Sequence, residues 1–259
     1  MWKWEVEEAR GVMVIVHGAG EHHGRYQWLA QKWNEHGLDV VMGDLPGQGR
    51  TRGKRGHIQS FTHYLDTIGE WLEEAGKKGL PVFLFGHSMG GLAAIRLLME
   101  RKPALFGVVL SSPCLALKKP PAKAKELMTK AFHRVAPTFS AKSGIRTELV
   151  TRNEDIREAY LKDELRVTTV TARWYQELVK AMRTANHYPE KVINTPMLVM
   201  QAGEDFLVDK LAVRDWFDNI ELTEKHYKEW PGLYHELFNE PERDEVFRHA
   251  VGFINLQLP

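Results

Sequence analysis

A serine set between glycines two residues to either side, Gly86-His87-Ser88-Met89-Gly90, with Gly91 following, is the pattern in this chain that points most directly to chemistry. It comes straight after the apolar run Pro81-Val82-Phe83-Leu84-Phe85 and before a helical pattern from Leu92 to Glu100. A tight strand-to-helix turn has no room for side chains at positions 86 and 90, and it lifts the Ser88 hydroxyl clear of the backbone. At the start of a helix, Ser88 also meets a dipole that favours developing negative charge. A serine hydroxyl is a poor nucleophile until a base takes its proton. A histidine, and a carboxylate to orient it, must therefore come from elsewhere in the chain.

For a serine held in such a turn, the chain order of the partners is Ser, then Asp or Glu, then His. Asp205 closes the loop Ala202-Gly203-Glu204-Asp205 after the apolar run Pro196 to Gln201. His235 comes after the strand-like His226 to Trp230, by way of Pro231-Gly232-Leu233-Tyr234. Both are expected to project from the same sheet edge as Ser88. Glu204 and Asp209 are rival acids, read as loop or surface residues. A tetrahedral intermediate needs two backbone donors: Met89 N–H, next to the nucleophile, is one, and Ala19 N–H, in His17-Gly18-Ala19-Gly20 after an early strand, is the other. His17, His22 and His23 cluster in sequence, and Glu236 follows His235. Neither set forms an H-E-x-x-H helix, so no metal is expected.

These residues need a scaffold, and the hydrophobic pattern supplies one. Five short apolar runs, Val12 to Val16, Leu38 to Met42, Pro81 to Phe85, Phe106 to Leu110 and Pro196 to Met200, lack alternation, which suits strands buried on both faces. Helical patterns lie between them, as in Phe61 to Ala75. Strands alternating with helices predict an α/β fold with a mostly parallel sheet and helices on both faces. Between Cys114 and Thr195 the rhythm changes. Leu127, Met128, Ala131, Phe132 and Val135 form one helical stripe, and Val167, Val170, Trp174, Leu178 and Met182 form another. The expectation is a core of residues 1–114 and 195–259 with a helical cap, 115–194, inserted after the sixth strand over the sheet's carboxyl edge.

Composition narrows the function. The 259 residues carry 35 basic and 34 acidic side chains, which argues against a dedicated nucleic-acid binder. The single cysteine, Cys114, excludes an intrachain disulfide and suits a reducing, cytoplasmic setting. Charge is concentrated locally: from Leu115 to Thr147 stand Lys118, Lys119, Lys123, Lys125, Lys130, Arg134, Lys142 and Arg146, with Glu126 the lone acid. Such a stretch is either a solvated face or a landing surface for anionic lipid or a phosphate-bearing substrate.

The whole resembles the α/β-hydrolase branch that holds monoacylglycerol lipases and bacterial lysophospholipases. The resemblance rests on His17-Gly-Ala-Gly-Glu-His-His-Gly-Arg-Tyr26, Asp44-Leu-Pro-Gly-Gln-Gly49, the Ser88 turn, Met200-Gln-Ala-Gly-Glu-Asp205 and Tyr234-His-Glu-Leu-Phe-Asn-Glu240. It implies a serine ester hydrolase without a cofactor, acting on a single-chain lipid held under a mobile cap. It further implies that Glu21 and Arg25 lie near the substrate's polar end, against the plainer reading of an ion pair within the loop. Phe238 stands where the mammalian enzyme carries a further polar histidine, which tilts the expectation towards a lysophospholipid. Rival readings are a peptidase of the proline-iminopeptidase type, a non-catalytic ligand-binding module, and a cap serving chiefly to dock on anionic membranes.

Overall fold

The computed structural model describes residues 1–259 apart from the side chains at positions 123–125, so Lys123 and Lys125 of the basic stretch lie outside the described residues. The apolar runs form the strands β2 (Gly11–Val16), β3 (Leu38–Met42), β4 (Val82–His87), β5 (Gly107–Ser111) and β8 (Met197–Ala202), each buried along its whole length. With β1 (Trp2–Trp4) and β9 (Lys225–Trp230) they make a seven-stranded sheet in the order β1-β3-β2-β4-β5-β8-β9. Only β1 runs antiparallel. Phe106, expected inside a strand, lies just before β5 and is 47% exposed.

Period-2 alternation divides β2 between two cores. Val12, Val14 and Val16 face α2 (Thr62–Gly76), α3 (Met89–Glu100) and α7 (Lys210–Asn219), while Met13 and Ile15 face α1 (Gln27–Glu35) and α8 (Arg243–Gln257). Both faces of the sheet are therefore covered, as parallel pairing requires. The parallel register fixes the site's geometry. His87↔Ser111 and Ala202↔Trp230 are the last pairs of their ladders, so the loops carrying Ser88, Asp205 and His235 leave one edge together.

The cap departs after the fifth strand of the chain and not the sixth. Ahead of β2 there is one short edge strand; the charged stretch Glu5 to Arg10 that follows is a turn, with Val6 N–H donating to Asp39 Oδ1 at 2.9 Å. The cap contains α4 (Lys123–Val135), α5 (Glu154–Lys162) and α6 (Ala172–His187), and α4 packs on α6, which packs on α3. It is not wholly helical. β6 (Ser140–Lys142) pairs antiparallel with β7 (Thr169–Thr171), three-residue strands too short to show alternation in sequence. Val167 and Val170 consequently precede α6 instead of belonging to its stripe, and Thr171 Oγ1 caps the helix by accepting Trp174 N–H. Nor does α4 bury its whole stripe: Leu127, Met128 and Val135 are exposed. No helix among the described residues is long and apolar enough to cross a membrane.

Candidate active site

Ser88 occupies the turn between β4 and α3 at φ 53°, ψ −119°, a left-handed conformation costly for a residue with a Cβ. The surroundings impose it. Ser88 N–H donates to Ser111 O at 2.9 Å, and Ser88 O accepts from Cys114 N–H and Leu92 N–H at 2.9 and 3.0 Å. A Cβ at position 90 would stand 2.3 Å from Val16 O, and one at position 86 would stand 2.8 Å from Gly90 O. The two glycines are thus required by backbone contact.

Three elements bring the expected partners together. Ser88 Oγ lies 2.9 Å from His235 Nε2, and His235 Nδ1 lies 2.8 Å from Asp205 Oδ2. Assigning the proton to Nδ1 leaves Nε2 free to accept from the serine hydroxyl. Asp205 is itself fixed: Oδ1 accepts Leu207 N–H and Val208 N–H at 2.9 and 2.8 Å, and Oδ2 accepts from Gln201 Nε2 at 3.1 Å. Burial opposes ionisation of Asp205, but the charge and hydrogen bond of His235 and the two backbone donors hold its pKa below the usual carboxylate value. For His235 burial alone would lower the pKa; the Asp205 carboxylate outweighs it and leaves the imidazole more basic than an ordinary histidine. The rival acids are elsewhere: Glu204 is exposed, and Asp209 caps α7 by accepting Leu211 N–H.

The loop after β2 passes beside the serine. A Cβ on Gly18 would lie 3.2 Å from the Cβ of Ser88. Ala19, Ser88 and Met89 share the wall of a cavity of about 430 Å³. Among the described residues no protein acceptor takes the N–H of Ala19 or of Met89, the first residue of α3. The loop is braced by Glu21 Oε2, which accepts Gly18 N–H and the Tyr26 hydroxyl, each at 2.6 Å, and by Gln48 Oε1, which accepts Gly20 N–H at 3.0 Å.

Glu21 and Arg25 join an ion-pair cluster and not the wall of the large cavity. Arg25 bridges Glu21 at 3.3 Å and Glu236 at 2.9 Å, and Glu236 also accepts from the Tyr160 hydroxyl and from Asn239 Nδ2. The carboxylates of Glu21 and Glu236 and the His87 ring lie close enough to share an ion, yet Arg25, Tyr26 and Tyr160 already occupy the carboxylate oxygens. Burial beside Glu21 lifts the Glu236 carboxyl to about 7, and burial lowers His87 to about 4. The clustered histidines diverge: His17 Nε2 accepts Leu45 N–H, His22 pairs with Asp163, and His23 pairs with Asp44.

Sequence reasoning gave no role to Glu240, the last residue of the His235 segment, which is fully buried. It accepts from Tyr234 N–H at 3.0 Å and from Thr151 Oγ1, Arg152 N–H and Arg152 Nε at 2.6 Å each. A glutamate five residues after the catalytic-type histidine carries no local signal of a partner some ninety residues away.

Comparison with known proteins places the chain in a family. The family model described as serine aminopeptidase, S33, matches residues 7–242. The chain is 49% identical over 254 residues to a protein of Bacillus subtilis named phospholipase YtpA, covering 98% of each. It is 31% identical to human monoglyceride lipase, over 94% of this chain and 81% of that protein. The crystal structure of a monoacylglycerol lipase from Paleococcus ferrophilus superposes with a TM-score of 0.91 at 32% identity, over 99% of this chain and 98% of the other.

Proposed function

The chain belongs to the α/β-hydrolases, in the family described as serine aminopeptidase, S33, and from that premise we propose that it is a serine carboxylic-ester hydrolase cleaving the acyl ester of a single-chain lipid, a lysophospholipid or a monoacylglycerol. Ser88 Oγ attacks the ester carbonyl while His235 Nε2 takes its proton, and Asp205 stabilises the imidazolium that results. The N–H groups of Ala19 and Met89 receive the oxyanion, each worth about 3–4 kcal/mol to the transition state. Collapse expels the alcohol, protonated by His235. A water deprotonated by the same histidine then attacks the acyl-enzyme and releases a fatty acid. No step calls on a cofactor.

The observation that carries this reading is the wall of the large cavity. Met128, Phe132, Phe139, Trp174, Leu178 and Phe206 make it mainly apolar, and among the described residues its charged members are Lys119 and Lys142, with no Asp or Glu. An acyl chain needs such a wall, whereas a peptide's amino terminus needs a carboxylate there. A cytoplasmic setting is part of the proposal, with peripheral contact to anionic membrane through the cap. The test is fatty-acid release from a monoacylglycerol and a lysophosphatidylglycerol of equal chain length. The wild type is expected to release acid and Ser88→Ala to lose at least a thousandfold in rate, on the order of what triad removal costs. Hydrolysis of neither lipid would sink the lipid reading. A protein whose Ser88 takes no fluorophosphonate label would be a ligand-binding module.

A further inference from the structure

A narrow cleft opens beside the oxyanion loop, and Ala19 and Ile145 are walls that it shares with the large cavity. Arg25, Tyr160, Arg166 and Glu236 form much of the remainder. Two carboxylates beside the cleft, Glu21 and Glu236, are already engaged. Glu21 is held by Arg25, Tyr26 and Gly18 N–H, and Glu236 by Arg25, Tyr160 and Asn239. The cations are less fully matched. Arg25 keeps a buried Nε with no hydrogen-bond partner. Arg166 donates from Nη2 to Ile145 O at 2.9 Å, and among the described residues it forms no ion pair, its neighbour Asp163 being paired with His22. The guanidinium carbons of Arg25 and Arg166 lie 3.4 and 5.9 Å from the centre of the same Tyr160 ring.

The backbone holds Arg166 at this place. Val167 N–H donates to Gly20 O at 3.1 Å, and a Cβ on Gly20 would stand 2.8 Å from Val167 O. Arg166 is therefore one residue from the contact that seats the cap on the turn bearing Ala19. Partial burial and the nearby Arg25 lower the Arg166 pKa despite the opposing charges of Glu236, Asp163 and Glu148, so its charged form gains further from an incoming anion. A guanidinium suits phosphate by shape as well as charge, since two parallel N–H groups match two oxygens.

Resting on the lipid-ester reading above, we propose that Arg166 is a specificity-determining residue that receives the phosphate of a lysophospholipid head group while the scissile ester sits at Ser88. The acyl chain fills the apolar cavity and the head group turns past Ala19 and Ile145 to the mouth of the cleft. The Arg25 guanidinium, paired with Glu236 at 2.9 Å, offsets that carboxylate's charge towards the phosphate. A neutral monoacylglycerol bound in the same way makes no use of the Arg166 charge.

The test compares wild type, Arg166→Gln and Arg166→Lys on lysophosphatidylglycerol, on a monoacylglycerol of equal chain length and on p-nitrophenyl butyrate. Arg166→Gln is expected to lose about tenfold or more in kcat/KM on the phospholipid, as loss of a charge-assisted hydrogen bond implies, and less than about twofold on the other two esters. Arg166→Lys, which keeps the charge without the fork, is expected to fall between. Equal losses on all three esters, or no loss on the phospholipid, overturn the assignment. A wild type active on the monoacylglycerol but not on the phospholipid overturns it and leaves the lipid-ester reading standing. Activity on the butyrate alone overturns both.

Discussion

At the scale of the residue, the site is a chain of proton holders whose order is set by burial and charge. His235 needs to be neutral to accept the Ser88 proton. Because Asp205 raises its pKa above that of an ordinary imidazole, about 6.5, kcat/KM should rise with pH along a limb whose midpoint lies above that value. Asp205→Asn removes the charge that opposes desolvation. Its limb should move to lower pH and its rate should fall by about 10³- to 10⁴-fold. An unmoved limb in a pH–rate profile would mean that another group sets the basicity of His235. Ser88 and Asp205 were readable from sequence because each follows an apolar strand, and the glycines around Ser88 announce a turn that only glycine fits; His235 follows a polar edge strand and was found by chain order. For Glu21 and Arg25 the plainer of the two readings, an ion pair within the loop, is the one the structure shows. The family resemblance singled them out, but only the fold shows that Glu236 and Tyr160 arrive to complete an ion-pair cluster.

At the scale of the element, the five central strands were legible because unbroken apolar runs permit little else than strands covered on both sides; their order in the sheet came only with the structure. The cap was legible only in outline. Its two short strands carry too few residues to express a period, and α4 turns Leu127 and Val135 outward although their spacing suits a buried face. The contacts between cap and core were hidden for a different reason: they join polar residues far apart in the chain. Glu240 is the clearest case, holding Thr151 and Arg152 of the cap together with the N–H beside the catalytic histidine. Glu240→Gln keeps the shape and removes the charge, and it should cost about 2–3 kcal/mol of stability through weakened charge-assisted bonds. If the strap positions His235, kcat should drop several-fold on a short p-nitrophenyl ester with KM unchanged. A lower melting temperature with unaltered kcat would confine Glu240 to holding the cap.

At the scale of the whole molecule, near-neutral net charge conceals a polar arrangement of charge and apolar surface. Lys118, Lys119, Lys130, Arg134, Lys142 and Arg146 are exposed on the cap. Lys130 and Arg146 pair with Glu126 and Glu148; in the same stretch of chain Leu127, Met128, Val135 and Phe139 are 70%, 55%, 80% and 51% exposed, and Met128 and Phe139 also line the large cavity. Exposed apolar side chains on a segment rich in cations fit the anionic-membrane contact proposed above. In co-sedimentation, the protein should bind phosphatidylglycerol vesicles at low salt and release them at high salt, and Leu127→Ser with Val135→Ser should weaken binding. Absence of binding at low salt would make the cap face a solvated one. Such a surface is half legible in sequence, since charge can be counted there but exposure cannot.

The Glu240 strap also bears on how such enzymes can be recombined. A cap grafted from a relative leaves this carboxylate in the core, and without a hydroxyl, an amide N–H and a guanidinium in the places of Thr151 and Arg152 it would be stranded without solvent. Crossover points placed at the apparent ends of the insertion, near 115 and 194, would miss this dependency. A viable chimera must inherit 151–152 and 240 from the same parent, so the unit of exchange is larger than the cap.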